Sequence, residues 1–433
     1  MNDTARSDDF TASFDLAPRP RTLEETGLSL ALVADLLLKH LLAAGVQTLA
    51  GLAQRTALAG NILEGVLNHL RSEAQVEIRS STGEGMRYAL TERGRAGALD
   101  ALTRSTYTGA APVPLKHYER LVRAQSVHDC VVTRAAVHEH FSDVVIRPAL
   151  LDQLGPALHS GRAIFIYGLP GTGKTYITQR LTGLLGDSVL VPHAVALGDV
   201  VVPVFDPVLH QVDHATGSAS LLLEQGHDPR LQRCRRPVVL TGGELTLDML
   251  ELQQDPVTRQ YQAPLQLKAN NGIFIIDDLG RQRAPTVNLL NRWIVPMEEQ
   301  RDHLSLGSGQ HYPVPFDLVL VFSTNMNPLE LADEAFLRRL GYKIRFDPLS
   351  REQYRAIWEQ VCAERGIHCE PNVLTYVLDE LHGVRDVPLL PCHPRDLLML
   401  ALDLCHYLGD PNTIGIERIE WAWDNYFVRL TDA

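Results

Sequence analysis

Residues Gly168-Leu169-Pro170-Gly171-Thr172-Gly173-Lys174-Thr175 spell the pattern G-x-x-x-x-G-K-[ST]. Such a run can hold phosphate. Its glycines let the backbone curl until successive N–H groups converge on anionic oxygens. A helix that starts there adds the positive end of its dipole. Lys174 can reach the β- and γ-phosphates of a nucleotide, and the Thr175 hydroxyl can ligate Mg²⁺. Gly168, Pro170, Gly171, Thr172, Gly173, Lys174, Thr175 and Tyr176 are therefore the candidate nucleotide-binding set. The flanks suit the motif. Ala163 to Tyr167 is a short apolar run that reads as a buried strand, and Tyr176 to Leu185 places Ile177, Leu181 and Leu184 on one helical face. ATP with Mg²⁺ is the expected ligand pair, because the Asn-Lys-x-Asp signature of a guanine reader is missing from the sequence.

Two further strand ends carry polar residues. Gly272-Ile273-Phe274-Ile275-Ile276-Asp277-Asp278 reads as a buried parallel strand with two carboxylates at its C-terminal end. Ligands of open α/β sheets bind at that end. Asp277 can hold Mg²⁺, and Asp278 can polarise an attacking water. Without the phosphate loop the same residues would read as an Asp-rich turn. A third apolar strand, Leu318 to Phe322, ends in Ser323-Thr324-Asn325, whose amide could orient that water. Taken alone, Asn325 reads as a turn residue.

These strands need a sizeable scaffold, and 433 residues supply two or three domains. Residues 1–27 read as a disordered leader. Residues 28–104 follow as helices from Leu28, Thr48 and Asn61, strands around Val76–Ile78 and Met86–Leu90 joined by a turn at Ser80 to Gly85, and a helix from Thr91 to Leu102. Residues 105–137 form a connector, 138–347 the nucleotide-binding core, and 348–433 a helical segment in four pieces: Arg351–Cys362, Asn372–Leu381, Pro394–Leu408 and Ile416–Val428. Pro394 suits the first position of its helix. Composition is ordinary for a globular chain, with 45% apolar and 21% charged residues. No apolar run approaches the ~20 residues of a membrane helix. A polar N-terminus and six scattered cysteines fit the cytoplasm. A net charge of −12 argues against general adhesion to nucleic acid or anionic membrane. His138-Glu139-His140 and the His210/His214 pair have no matching second ligand pair, which disfavours zinc.

The order of these motifs resembles an AAA+ ATPase over roughly residues 138–433: an α/β fold with a P-loop parallel-sheet core and a C-terminal helical lid. The N-terminal block resembles a small winged-helix domain. The resemblance implies that Asp277 and Asp278 form the Walker B pair and that Asn325 is the first sensor. Asp333 to Leu340 resembles the segment that supplies an arginine finger to the neighbouring subunit, through Arg339 or, as the alternate, Arg338. His393 to Leu398 resembles the second-sensor helix, which makes Arg395 the cis arginine on the γ-phosphate. Leu265 to Asp278 and Asn291 to Asn325 resemble the helix-2-insert branch that includes MoxR-type chaperones. In that branch a polar hairpin, here around Leu304 to Tyr312, faces a ring pore and grips a client. Two departures stand out. The GAFTGA loop of sigma-factor activators is missing, and Asp278 stands where the branch carries Glu.

The resemblance implies a homo-oligomeric ring, a hexamer, that hydrolyses ATP to remodel a protein client. The alternative is a DNA-bound, ATP-dependent switch working through the winged helix. In residues 28–104 the basic residues from Lys39 to Arg104 nearly balance the acidic ones, and Asn61 is the base-edge candidate of the presumed recognition helix. Arg79 and Arg87 flank the wing and could touch phosphates. Docking onto protein is the other use of such a domain. Val191 to Asn270 reads as strands at Val200–Phe205 and Pro237–Leu240, with a turn and helix from Gly242, and carries no assigned role.

Overall fold

The computed structural model describes residues 17–79, 86–213 and 227–427. The predicted turn from Ser80 to Gly85, most of the predicted leader, and His214 lie outside them. The chain divides into two compact units. One comprises 1–130, 185–274 and 288–319, and the other 131–184, 275–287 and 320–433.

The sheet that carries the motifs has five strands. They are β1 (Ile164–Gly168), β2 (Val238–Thr241), β3 (Gly272–Ile276), β4 (Leu318–Thr324) and β5 (Tyr342–Phe346). Their spatial order is β2-β3-β4-β1-β5. β1 pairs in parallel with β4 on one side, Val321 opposite Ile164, and with β5 on the other, Tyr342 opposite Ile164. β3 and β4 are buried along their whole length. That is why they read as unbroken apolar runs rather than as an alternation.

The first unit opens with a one-turn helix, Leu23–Thr26, capped by Thr22 and burying Thr26, so the end of the expected disordered leader is ordered; helices Leu30–Ala44, Leu49–Thr56 and Gly60–Ser72 follow. Ser29 and Thr48 cap the first two of these three by accepting from Leu32 N–H and Gly51 N–H. Val76–Arg79 pairs antiparallel with Arg87–Leu90, whose other edge takes Gln47–Thr48. A helix, Glu92–Arg104, follows. Val33, Leu37, Leu41, Leu52, Leu63 and Leu67 fill the core between these elements. The stretch expected to be a connector holds a helix, Leu115–Ala124, that buries Tyr118, Leu121 and Val122. Beyond it, Ser188–Pro192 pairs with Leu231–Arg235, and Ala194–Leu197 pairs with Val200–Pro203. The helix expected after Gly242 is a single 3₁₀ turn, Leu247–Leu250, and Glu244 accepts from the Gly242 N–H at 2.8 Å. A hairpin joins Arg301–Ser305 to His311–Pro315, with Leu304 and Val314 inward and Arg301, His303 and His311 exposed.

One buried ion pair stitches this unit. Arg230 is 1% exposed. Its guanidinium donates to Asp228 through Nε and Nη2, and through Nη1 to the carbonyls of Thr26 and Pro112 at 3.1 Å each. Removing one partner would leave a buried charge unmatched, at a cost of about 3–5 kcal/mol.

The second unit begins with helices Arg134–His140 and Pro148–His159. The chain between them, 141–147, is not helical. The unit's final helical part is Arg351–Arg365, Val373–Tyr376 continued as a π-helical turn Val377–Gly383, Cys392–Leu408 and Ile416–Tyr426. Ser350 and Gln353 form a reciprocal capping box on the first of these. Cys392 rather than Pro394 begins the third, so the proline sits third in the helix. Its missing N–H still costs nothing there, because the first four N–H groups have no intrahelical partner.

His393 is buried against His382, ring centroids 5.2 Å apart, and its Nδ1 has no hydrogen-bond partner. Burial pushes its imidazole down from 6.5 to about 4, with the neighbouring His382 adding to the shift. An unfolded chain therefore takes up more protons than the folded one between those two values. Stability is intact above pH 6.5 and falls as pH drops towards 4. His393→Phe keeps the ring and removes both the orphan nitrogen and the titration. Urea unfolding followed by tryptophan emission should show this variant more stable than wild type at pH 5, with a flatter profile from pH 7 downward.

Candidate active site

The phosphate loop leaves β1 at Gly168, whose φ is 150°. A Cβ there would stand 2.2 Å from the Phe346 carbonyl oxygen at the end of β5. Gly171 and Gly173 take left-handed φ of 80° and 84°, and Gly173 caps the helix Lys174–Leu181. The Thr172 hydroxyl donates to Leu169 O at 2.8 Å and closes the turn. Pro170 and Gly171 to Tyr176 line a cleft of about 600 Å³.

Strand order decides what meets at this cleft. β4 lies between β3 and β1, so the residue after β4 stands between the residues after the other two. Asn325 uses both ends of its amide. Its Oδ1 accepts from Lys174 Nζ at 2.5 Å, and its Nδ2 donates to Asp278 Oδ1 at 2.9 Å. Lys174 also donates to the carbonyls of Gly168 and Leu169, at 3.0 and 2.9 Å. Its three protons thus have three acceptors. Burial holds this amine below the ordinary lysine value, against the opposing pull of Asp277 and Asp278. The Thr175 hydroxyl donates to Asp277 Oδ2 at 2.7 Å. Asp278 adopts φ 49°, a conformation Asp tolerates better than most side chains. Gln282 fixes that turn. Its amide nitrogen donates to the carbonyls of Asp277 and Asp278, and its Oε1 accepts from Gly280 N–H.

The structure therefore brings Lys174, Thr175, Asp277, Asp278 and Asn325 into one hydrogen-bonded group. Arg395, exposed, lines the same cleft from the start of the helix Cys392–Leu408. Cys392, one turn before it, lies against the loop: a Cβ on Gly171 would come within 2.6 Å of its sulfur. Tyr176 is half exposed beneath Arg180, whose guanidinium lies 5.9 Å from the ring and forks onto Asp143. Arg338 and Arg339 do not line the cleft. Both are exposed on the helix Glu334–Arg339, where Arg338 makes a loose pair with Glu334 at 3.9 Å. His138 pairs with Asp152, and His210 bonds the Lys268 carbonyl.

Several cleft residues were not singled out from sequence. Val144, Val145, Ile146, Leu150, Ile357 and Val361 make an apolar end suited to a flat heterocycle. The first three sit in the break between two helices. Ser142-Asp143 followed by the β-branched run Val144-Val145-Ile146 was the available signal. Gln282 and Cys392 carried none.

Three comparisons set this geometry beside known proteins. A family model described as a domain of unknown function, DUF8689, matches residues 350–425. No curated protein matches the chain. Among solved structures, a mutant of RuvB from Thermotoga maritima is similar at 12% identity, over 66% of this chain and 71% of that one, with a TM-score of 0.41. The T. maritima RuvB Holliday junction branch migration motor gives 12%, 66%, 70% and 0.38 for the same quantities. NtrX from Brucella abortus gives 13%, 71%, 57% and 0.39.

Gly168→Ala is expected to disrupt the sheet itself, because the methyl would strike the β5 backbone. A loss of about 3 kcal/mol is the expected scale, read by thermal unfolding without nucleotide. An equally stable Gly168→Ala protein would show that β5 gives way easily.

Proposed function

We propose that this chain is an AAA+ ATPase that binds ATP with Mg²⁺, hydrolyses it, and works as a ring of identical subunits on a protein client. The observation that carries the reading is the amide of Asn325 joining Lys174 to Asp278 across the ends of three adjacent strands. The backbone N–H groups of 171–175 and the Lys174 ammonium would take the phosphates, and the apolar end of the cleft the adenine. The donor set also fits a divalent cation: the Thr175 hydroxyl already donates to Asp277 Oδ2 at 2.7 Å, and both are oxygen ligands of the kind Mg²⁺ takes. When bound, the cation would neutralise phosphate charge. Asp278 accepts a proton from the attacking water, and Asn325 orients it. Arg395 meets the γ-phosphate in cis. Arg339, or Arg338, reaches a neighbour's cleft, which fits the exposure of both and their distance from their own.

The exposed hairpin Arg301–Ser305/His311–Pro315 is the client-gripping element in this reading, as in MoxR-like relatives of the helix-2-insert branch, with the subunits closed into a hexamer in the cytoplasm. The N-terminal block is read as a winged helix that docks protein. Three of its cations are paired: Arg79 with Glu77, Arg93 with Glu73 and Arg104 with Asp35. Asn61 donates to the Arg21 carbonyl rather than standing free for a base edge. These pairings weigh against the DNA-bound switch.

Steady-state ATP turnover against protein concentration tests the proposal. The rate per subunit should climb with concentration and ignore duplex DNA. Asp278→Asn should keep ATP binding and lose roughly 100-fold or more in rate, the scale of a lost general base. A flat rate, or one that wakes only with DNA, would overturn the ring remodeller. Mixing Arg339→Ala subunits with Asp278→Asn subunits should restore part of the rate if the arginine acts across a boundary. Restoration with Arg338→Ala instead would reassign the finger.

A further inference from the structure

Cys362 and Cys369 lie apart from the cleft. Cys362 is in the last turn of the helix Arg351–Arg365, and Cys369 is in the two-residue strand His368–Cys369. The helix stops at Gly366, left-handed at φ 62°, and the N–H groups of Gly366 and Ile367 both return to the Cys362 carbonyl. That reversal carries Cys369 back beside Cys362, with the sulfurs 3.6 Å apart. The strand is held in place from its other side, His368 opposite Thr413 and Cys369 opposite Ile414. Both thiols are half-buried, within reach of a small reagent.

We infer that Cys362 and Cys369 are a reactive dithiol that a small-molecule disulfide converts to an intramolecular disulfide. The sulfurs must close from 3.6 Å to about 2.05 Å, a shift within side-chain rotation. Either thiol can be the donor in the contact between them, so either can be the one that ionises and attacks first. Thiolate is the attacking species.

The steps balance. The thiolate of one cysteine attacks one sulfur of R–S–S–R, forming a mixed disulfide and expelling RS⁻. The other cysteine then gives its proton to solvent, attacks the protein sulfur of that mixed disulfide and expels the second RS⁻. Two protein thiols are oxidised and one small disulfide is reduced to two thiols. The bridge would pin the last turn of a helix that also lends Ile357, Gln360 and Val361 to the cleft. The inference stands independently of the ATPase reading.

The test uses the full chain, reduced, freed of reductant and incubated with oxidised glutathione. Intact mass should fall by two hydrogens. A non-reduced tryptic map should show the two cysteines linked, because Arg365 lies between them and trypsin separates their peptides. Cys362→Ser should trap one glutathione on Cys369, and Cys369→Ser one on Cys362, because neither mixed disulfide has a thiol beside it to resolve it. The oxidised wild-type chain, which needs no variant to fold, should keep both cysteines from iodoacetamide until reductant is added. Glutathione on other cysteines without the 362–369 link, or iodoacetamide labelling of Cys362 and Cys369 after oxidation, would overturn the dithiol.

Discussion

A buried ammonium must find acceptors, and the arrangement around Lys174 answers that demand. Its three protons go to two carbonyls of its own loop and to the Asn325 amide. The amide can turn its oxygen to the lysine only because its nitrogen has Asp278 on the other side. A chain of donor and acceptor therefore runs from cation to carboxylate through one neutral group. Each link is oriented by the next, which raises the cost of losing any one of them. The arriving phosphate would compete for the same lysine protons, so the resting network is also what binding must rearrange.

That network depends on strand order more than on loop sequence. Placing β4 between β1 and β3 sets Asn325 between Lys174 and Asp278, although 151 residues separate Asn325 from Lys174 and 47 separate it from Asp278. Gln282 then holds the turn that gives Asp278 its left-handed backbone. Asp278 is thus fixed at both its backbone and its carboxylate.

The site was legible where chemistry and burial coincide. Parallel strands covered on both faces leave continuous apolar runs; β1 runs into the glycine-rich loop, and β3 and β4 are followed by Asp277-Asp278 and Asn325, which line the cleft. The interleaving of the two units was not legible. Residues 188–203 and 231–235 make their own β-structure before the chain enters β2, and no local pattern says which sheet a strand joins. The helix Leu115–Ala124 was hidden behind Pro112 and Pro114, although Leu115, Tyr118 and Val122 have helical spacing. The early start of the Cys392–Leu408 helix was masked by a proline that tolerates the third position as well as the first. The apolar wall at 144–146 is set by a helix break, which periodicity blurs rather than marks.

Arg230 has a consequence for how the chain comes into being. It joins Thr26 and Pro112 to a segment more than a hundred residues further on. During synthesis the Thr26 and Pro112 carbonyls would emerge before the guanidinium that claims them. That clamp could close only after the glycine-rich loop and the strands behind it had been made. Vectorial, domain-by-domain folding is the usual refuge of long chains from misassembly. This chain completes its first unit late: the early helices can pack on one another through Val33, Leu37 and Leu63, but the buried cation that ties them to the rest arrives more than a hundred residues afterwards.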